Sequence, residues 1–291
     1  RALFVTGHGE RRALGAANHD YGEFSNRLKE RGYEIADVNL QLDTIEQRPG
    51  DVLVIAGAQD LWHENEITAL DEYIAKGGDV LWLLDELGAS SDLVADMTGL
   101  VSLPGVIVDA ASEALNLPKP DFAVVSNYDH NASLASMDGI SLFPRAIAFS
   151  DAQLAAPWQA EVLLQSTARS WNETSDIAGR IAPDQPGELT GPLVFGWQLT
   201  HNAQQGTMTV LGDGDFLANA WLGNGVNLAL GERLFDSLVT ESPVLVTAAP
   251  PRDKHVSVSK AQGLWLGGAL FAALPLLLSS IAFWIWRRQV Y

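Results

Sequence analysis

The chain contains no cysteine. That absence removes disulfide staples, thiolate metal sites and a cysteine nucleophile together, and it suits either redox compartment. Histidine is sparse: His8, His19, His63, His130, His201 and His255 are the whole set. None are four apart and no His-Glu-x-x-His occurs, so the sequence gives no support for a zinc site. There is no Gly-Lys-Ser/Thr phosphate loop and no Gly-x-Ser-x-Gly elbow. No metal and no cofactor is therefore expected. Basic residues are also few: 18 Lys and Arg against 36 Asp and Glu give a net charge of -18. Such a surface repels phosphate backbones and anionic leaflets, which excludes nucleic acid as a partner by ordinary electrostatics.

What is present begins with apolar content. Hydrophobic residues make up 47% of 291, with nine Trp, a composition that packs into a globule. From Ala261 to Trp286 there is no Asp, Glu, Lys, Arg or His. Roughly 20 apolar residues cross a hydrocarbon core, so this run is predicted as a C-terminal transmembrane helix, with a short tail over 287–291. Trp265, Trp284 and Trp286 suit the lipid interface, and Pro275 falls mid-span, where a bilayer tolerates it. Gly263, Gly267, Gly268 and Ala272 form a small-residue face for packing against another membrane helix. Flanking charges nearly balance, with Arg287 and Arg288 on one side and Arg252, Lys254 and Lys260 on the other. The acidic bulk then favours a large domain outside the cytosol. The chain opens at Arg1, without Met or leader, and reads as a fragment or processed product.

Residues 1–245 are predicted as the extracytoplasmic α/β domain, with 246–260 as a stalk. Ala2–Val5, Glu34–Leu40, Val52–Ala56 and Val80–Leu84 read as strands. Helical spacing runs from Tyr21 to Arg31 and from Glu64 to Lys76, stopped by Gly32 and by Gly77-Gly78. Strands alternating with helices imply an open, mostly parallel sheet with helices on both faces. From about 103 to 192 the pattern weakens, and that stretch is expected to be an elaborated insertion with short strands at Val106–Val108, Ala146–Phe149 and Val162–Leu164. Order returns with Leu193–Leu199, Thr207–Leu211 and a helix from Asn227 to Leu238.

Two loops carry candidate chemistry, and both leave the carboxyl end of a strand, where open α/β sheets bind ligands. Gly7-His8-Gly9-Glu10 offers glycine backbone for close approach and a His–Glu pair for acid–base or metal chemistry. The same residues also suit a turn whose polar side chains satisfy neighbouring backbone. Gly212-Asp213-Gly214-Asp215 offers two carboxylates for a shared cation, or a turn in which the aspartates cap the next segment and hold Asn219 or Asn227 nearby. The calcium-loop pattern is incomplete.

Gly50-Asp51-Val52-Leu53-Val54-Ile55-Ala56-Gly57 with Gln59 and Glu66, then Gly77-Gly78 leading into Leu81-Trp82-Leu83-Leu84-Asp85, follow Gly-His-Gly-Glu in order. Gly212-Asp213-Gly214-Asp215-Phe216 with Asn219, and Gly225-Val226-Asn227, complete the series. This series resembles the auxiliary (GldG-type) component of gliding-motility-type ABC transport systems over most of the chain, thinning between about 104 and 191. The resemblance implies a periplasmic domain related to amidotransferase-like, flavodoxin-like and intraflagellar-transport-like α/β folds, without a catalytic Cys. It also implies a bacterial inner-membrane location, an ABC permease and an ATPase subunit as partners besides membrane lipid, and a further membrane segment upstream.

The expectation is thus a non-enzymatic, membrane-anchored accessory subunit. One alternative is an amidotransferase-like hydrolase or metal-dependent enzyme using His8, Glu10, Asp213 and Asp215. Another is a carbohydrate or cell-wall binding module built on Trp62, Trp82, Trp158, Trp171 and Trp197.

Overall fold

Near-continuous apolar runs make strands that need cover on both faces. In the computed structural model, β1 (Ala2–Val5), β3 (Val52–Ala56) and β4 (Asp79–Leu83) are buried at almost every position. The structure describes residues 1–86, 88–117, 119–177, 182–202, 206–239 and 274–289. It divides into two units, Arg1–Ser242 and Pro243–Tyr291.

The first unit is built on a seven-stranded sheet that also takes in β2 (Ile35–Val38), β10 (Trp158–Gln165), β12 (Val194–His201) and β13 (Thr207–Leu211). Its order is β10-β12-β13-β4-β3-β1-β2. Strands β2, β1, β3, β4 and β13 pair in parallel. Side chains alternate across this sheet. Phe4, Val54, Leu81, Leu83 and Leu211 face α1 (Gly22–Glu30) and α5 (Asn227–Val239) through Phe24, Leu28, Leu230, Leu234 and Phe235. Leu3, Val5, Leu53, Ile55 and Trp82 face α2 (Glu64–Ala75) and α3 (Ser90–Thr98) through Leu70, Tyr73, Ile74, Leu93 and Val94. Two period-2 faces and two sets of period-3.6 helices therefore close two cores on one sheet.

The α/β class holds in broad terms, but two parts of the expected architecture are corrected. The sheet is mixed: β12 runs antiparallel to β13, and β10 antiparallel to β12. For β12 and β13 the reason is chain length. His201 and Thr207 lie too close in sequence for a crossover, which takes about a dozen residues, so the chain returns as a hairpin. The second correction concerns the predicted transmembrane helix. No helix among the described residues is long and apolar enough to cross a membrane. The second unit shows α6 (Leu274–Gln289). Its 16 residues rise only about 24 Å, short of a hydrocarbon core of about 30 Å. Pro275, expected mid-span, is the second described residue of α6. At the other end the Arg288 guanidinium lies 4.1 Å from the Trp284 ring centre. The proposed packing face of Gly263, Gly267, Gly268 and Ala272 lies outside the described residues.

The weakly patterned stretch contributes three small antiparallel pairs besides β10. These are β5 (Val101–Ser102) with β9 (Phe149–Ser150), β6 (Val106–Asp109) with β11 (Ser170–Glu173), and β7 (Phe122–Val125) with β8 (Ser141–Pro144), the short helix α4 (Ala111–Ala114) linking β6 to β7. Among the contacts that join this stretch to the main sheet and to α5 are two made by backbone groups. The Ile147 N–H donates to the Gly212 carbonyl at 2.8 Å, and a Cβ at Gly212 would sit 1.9 Å from the Ile147 oxygen, so only glycine fits. The buried Asn227 amide exchanges hydrogen bonds with both backbone groups of Leu142 and donates to the Trp221 carbonyl.

Candidate functional site

Strands β2, β1, β3, β4 and β13 take the order in which the chain reverses direction between β1 and β3, and loops beyond that reversal line a crevice. Two charged clusters lie there.

The first centres on His8, which is buried. Its Nδ1 lies 2.9 Å from Glu10 and its Nε2 lies 3.0 Å from Glu66. The ring stacks on Trp62 at 4.3 Å, with 18° between planes. The Trp62 indole N–H donates to Ser90 on α3. Glu66 also accepts the His63 N–H at 2.9 Å, closing a capping box at the start of α2. Burial works against a charged His8 ring, but the hydrogen bonds to Glu66 and Glu10 outweigh it and raise its pKa. Burial likewise opposes ionisation of Glu66, yet the His63 N–H and His8 hold its pKa below the usual value.

The second cluster centres on Arg11. Its guanidinium reaches Asp85 at 2.5 and 3.1 Å and Asp215 at 2.5 Å. Gly57 makes room for it: φ is +67°, and a Cβ there would lie 2.0 Å from Arg11 Nη1. Asp213 is fully buried and accepts the N–H groups of Asp215 and Phe216 at 2.9 and 3.1 Å. Burial, reinforced by the Asp215 charge, pushes the Asp213 carboxyl well above the carboxylate range. A cleft of about 200 Å³ opens over Arg11, Gln59, Asp85, Glu86, Arg145, Asp213 and Asp215. Gln59 joins the two clusters, its N–H donating to the His8 carbonyl and its side-chain amide to Asp85.

The residues predicted from sequence are therefore split. His8 and Glu10 meet each other, but their third partner is Glu66 on α2. Asp213 and Asp215 share a turn, yet Asp215 points to Arg11. Gly7 and Gly9 form the exposed surface of the β1 loop, and Gly212 is the close-approach point to Ile147. Asn219 lies apart from both clusters: its amide donates to the Gly15 and Ala17 carbonyls and its oxygen accepts the Glu23 N–H, fixing the loop before α1. Among the described residues, no group of three or more His, Asp or Glu is placed to hold a metal ion. Of the tryptophans, Trp82, Trp158 and Trp197 are buried in the core, while Trp62 and Trp171 are half-buried. Arg11 is the residue that sequence reasoning missed. Its signal was its place two residues beyond the glycine loop, readable only once Asp85 and Asp215 are known to converge on it.

The rim around these clusters is partly apolar. Leu14, Leu42 and Leu61 are 57%, 79% and 80% exposed, and they sit on the loops that follow β1, β2 and β3.

The mmIFT52 N-terminal domain shares this fold, with a TM-score of 0.60 and 18% identity over 82% of this chain and 98% of that one. The exo-β-1,4-mannosidase Op5Man5 from Opitutaceae bacterium strain TAV5 is similar at a TM-score of 0.38 and 11% identity, over 83% of this chain and 36% of that one. No curated protein matches the sequence. A family model does match over residues 20–235, and the chain belongs to that family, DUF4350, a domain of unknown function.

Proposed function

We propose that this domain is a non-catalytic docking module, a GldG-type accessory subunit that engages the permease and ATPase subunits of an ABC transport assembly. One observation carries the non-catalytic part. At the carboxyl ends of the parallel strands, the groups that an enzyme would keep available for substrate are committed to each other. His8 is held between Glu10 and Glu66, and Arg11 between Asp85 and Asp215. A general base needs an unoccupied, basic nitrogen or carboxylate facing its substrate. The exposed leucines on the surrounding loops supply the apolar contact that docking requires. The transport assignment rests on the sequence resemblance, and the acidic balance supports a site of action outside the cytosol.

Co-purification under mild conditions tests the reading. The tagged full-length protein is expected to bring down permease and ATPase subunits, and a Leu42→Ser/Leu61→Ser variant to lose them while remaining folded. His8→Ala and Asp213→Ala variants that fold but abolish a measurable hydrolytic activity would replace docking with catalysis.

A further inference from the structure

Among the described residues, His8 is the one buried histidine whose two ring nitrogens both face carboxylates. A neutral imidazole has one N–H, so it can donate to only one of them; both contacts are hydrogen bonds only when the ring carries two protons. We propose that His8 is a proton-operated latch, tying the β1 loop to the first turn of α2 when charged and releasing α2 when neutral.

The groups around His8 decide which contact is released. From its own loop it faces Glu10, which also accepts the His8 backbone N–H at 2.7 Å and so is pinned two residues away. From α2 it faces Glu66, with His63 on the other side of that carboxylate. Gln59 and Asp60 meet it through backbone N–H groups donated to its carbonyl, and Trp62 covers the ring face. Glu66 has an alternative donor in the His63 N–H, whereas Glu10 stays beside the ring by chain connectivity. A ring that loses one proton therefore keeps Nδ1–H on Glu10 and turns a bare Nε2 lone pair toward Glu66. The broken contact is the one between elements. It runs to the helix that follows the Leu61 loop, so deprotonation loosens one side of the apolar rim. That consequence for docking rests on the functional reading above; the latch itself does not.

The test uses the full chain without any partner. Imidazole ¹⁵N spectra from pH 5 to 10 are expected to show both His8 nitrogens protonated at neutral pH, with a titration midpoint above the ordinary value of about 6.5. Across that midpoint, amide exchange at Glu66 and Ile67, whose N–H groups donate to the His63 carbonyl, should accelerate relative to β3. The expected factor is roughly 10- to 150-fold, the effect of losing one charge-assisted hydrogen bond. Glu66→Gln should flatten that acceleration. If that variant does not fold, Glu10→Gln carries the test and must lower the His8 midpoint. A singly protonated His8 ring at neutral pH, or α2 protection that tracks β3 throughout, overturns the latch. Loss of partner binding with the latch intact would instead count against the docking role.

Discussion

The two charged clusters sit side by side on one sheet edge and differ in how they meet water. His8, Glu10 and Glu66 have side chains only 2–3% exposed. Arg11, Asp85 and Asp215 line an open cleft at 10%, 20% and 34%. The sealed cluster depends on a proton, because imidazole titrates near neutrality. In the open one the guanidinium keeps its charge throughout the working range, and the group with a perturbed pKa is buried Asp213 rather than the cation. Neighbouring ion groups of similar geometry are thus separated by chemistry: in one the cation itself titrates near neutrality, and in the other the cation is a fixed brace.

The largest effect should come from the brace. Arg11→Met leaves Asp85 and Asp215 facing each other beside buried Asp213, and removing one partner of a largely buried ion network costs about 3–5 kcal/mol. Thermal unfolding should then fall by roughly 6–20 °C, and by more at pH 8 than at pH 6, because protonation of carboxylates whose pKa Arg11 no longer holds down relieves their repulsion. A loss that grows toward low pH would overturn this account of the brace. His8→Gln should cost less, about 1–3 kcal/mol, and only in part of the pH range. The pKa of His8 is raised in the folded state, so its stabilisation is complete below the unfolded value and is lost as pH rises through the folded one. The pKa of Glu66 is lowered, so its share is present above the ordinary carboxylate value and is lost as pH falls through the folded one. Unfolding curves of the parent and His8→Gln should therefore differ most in the neutral and mildly acidic range and converge in alkali. A gap that stays constant to pH 10 would mean that His8 acts by packing alone. The smallest effect is expected at Lys76, paired with Glu72 across one helical turn at 3.2 Å with both side chains about two-thirds exposed. Lys76→Ala should change stability by no more than about 0.5 kcal/mol, which sets the surface baseline for both clusters.

How much of this was legible in sequence follows the range of the interactions. Strands β1, β3 and β4 and helices α1 and α2 announce themselves through local apolar spacing and glycine stops, because their period reflects which face meets the core. The loop after β1 and the turn after β13 could be placed at strand ends for the same reason. Of the small strands between Val101 and Glu173, β6 was read from its apolar run and β9 in part, but their pairings could not be read, since strands of two to four residues joined to partners as far off as Val106 and Glu173 leave no periodic trace. The antiparallel sense of β12 depended on reading a short connection as a hairpin. The membrane span was inferred from hydropathy over a window longer than the described helix.

The sequence by itself determined the absence of thiol chemistry, the acidic field, the α/β alternation and the positions of two polar loops, all of which are properties of composition or of short windows. Only the tertiary structure decided what those loops are for each other. It took Glu66 from α2 to complete His8, and Asp85 and Asp215 from two further strand ends to complete Arg11. Groups 58 and 204 residues apart along the chain meet there because a parallel sheet delivers the carboxyl ends of its strands to one edge.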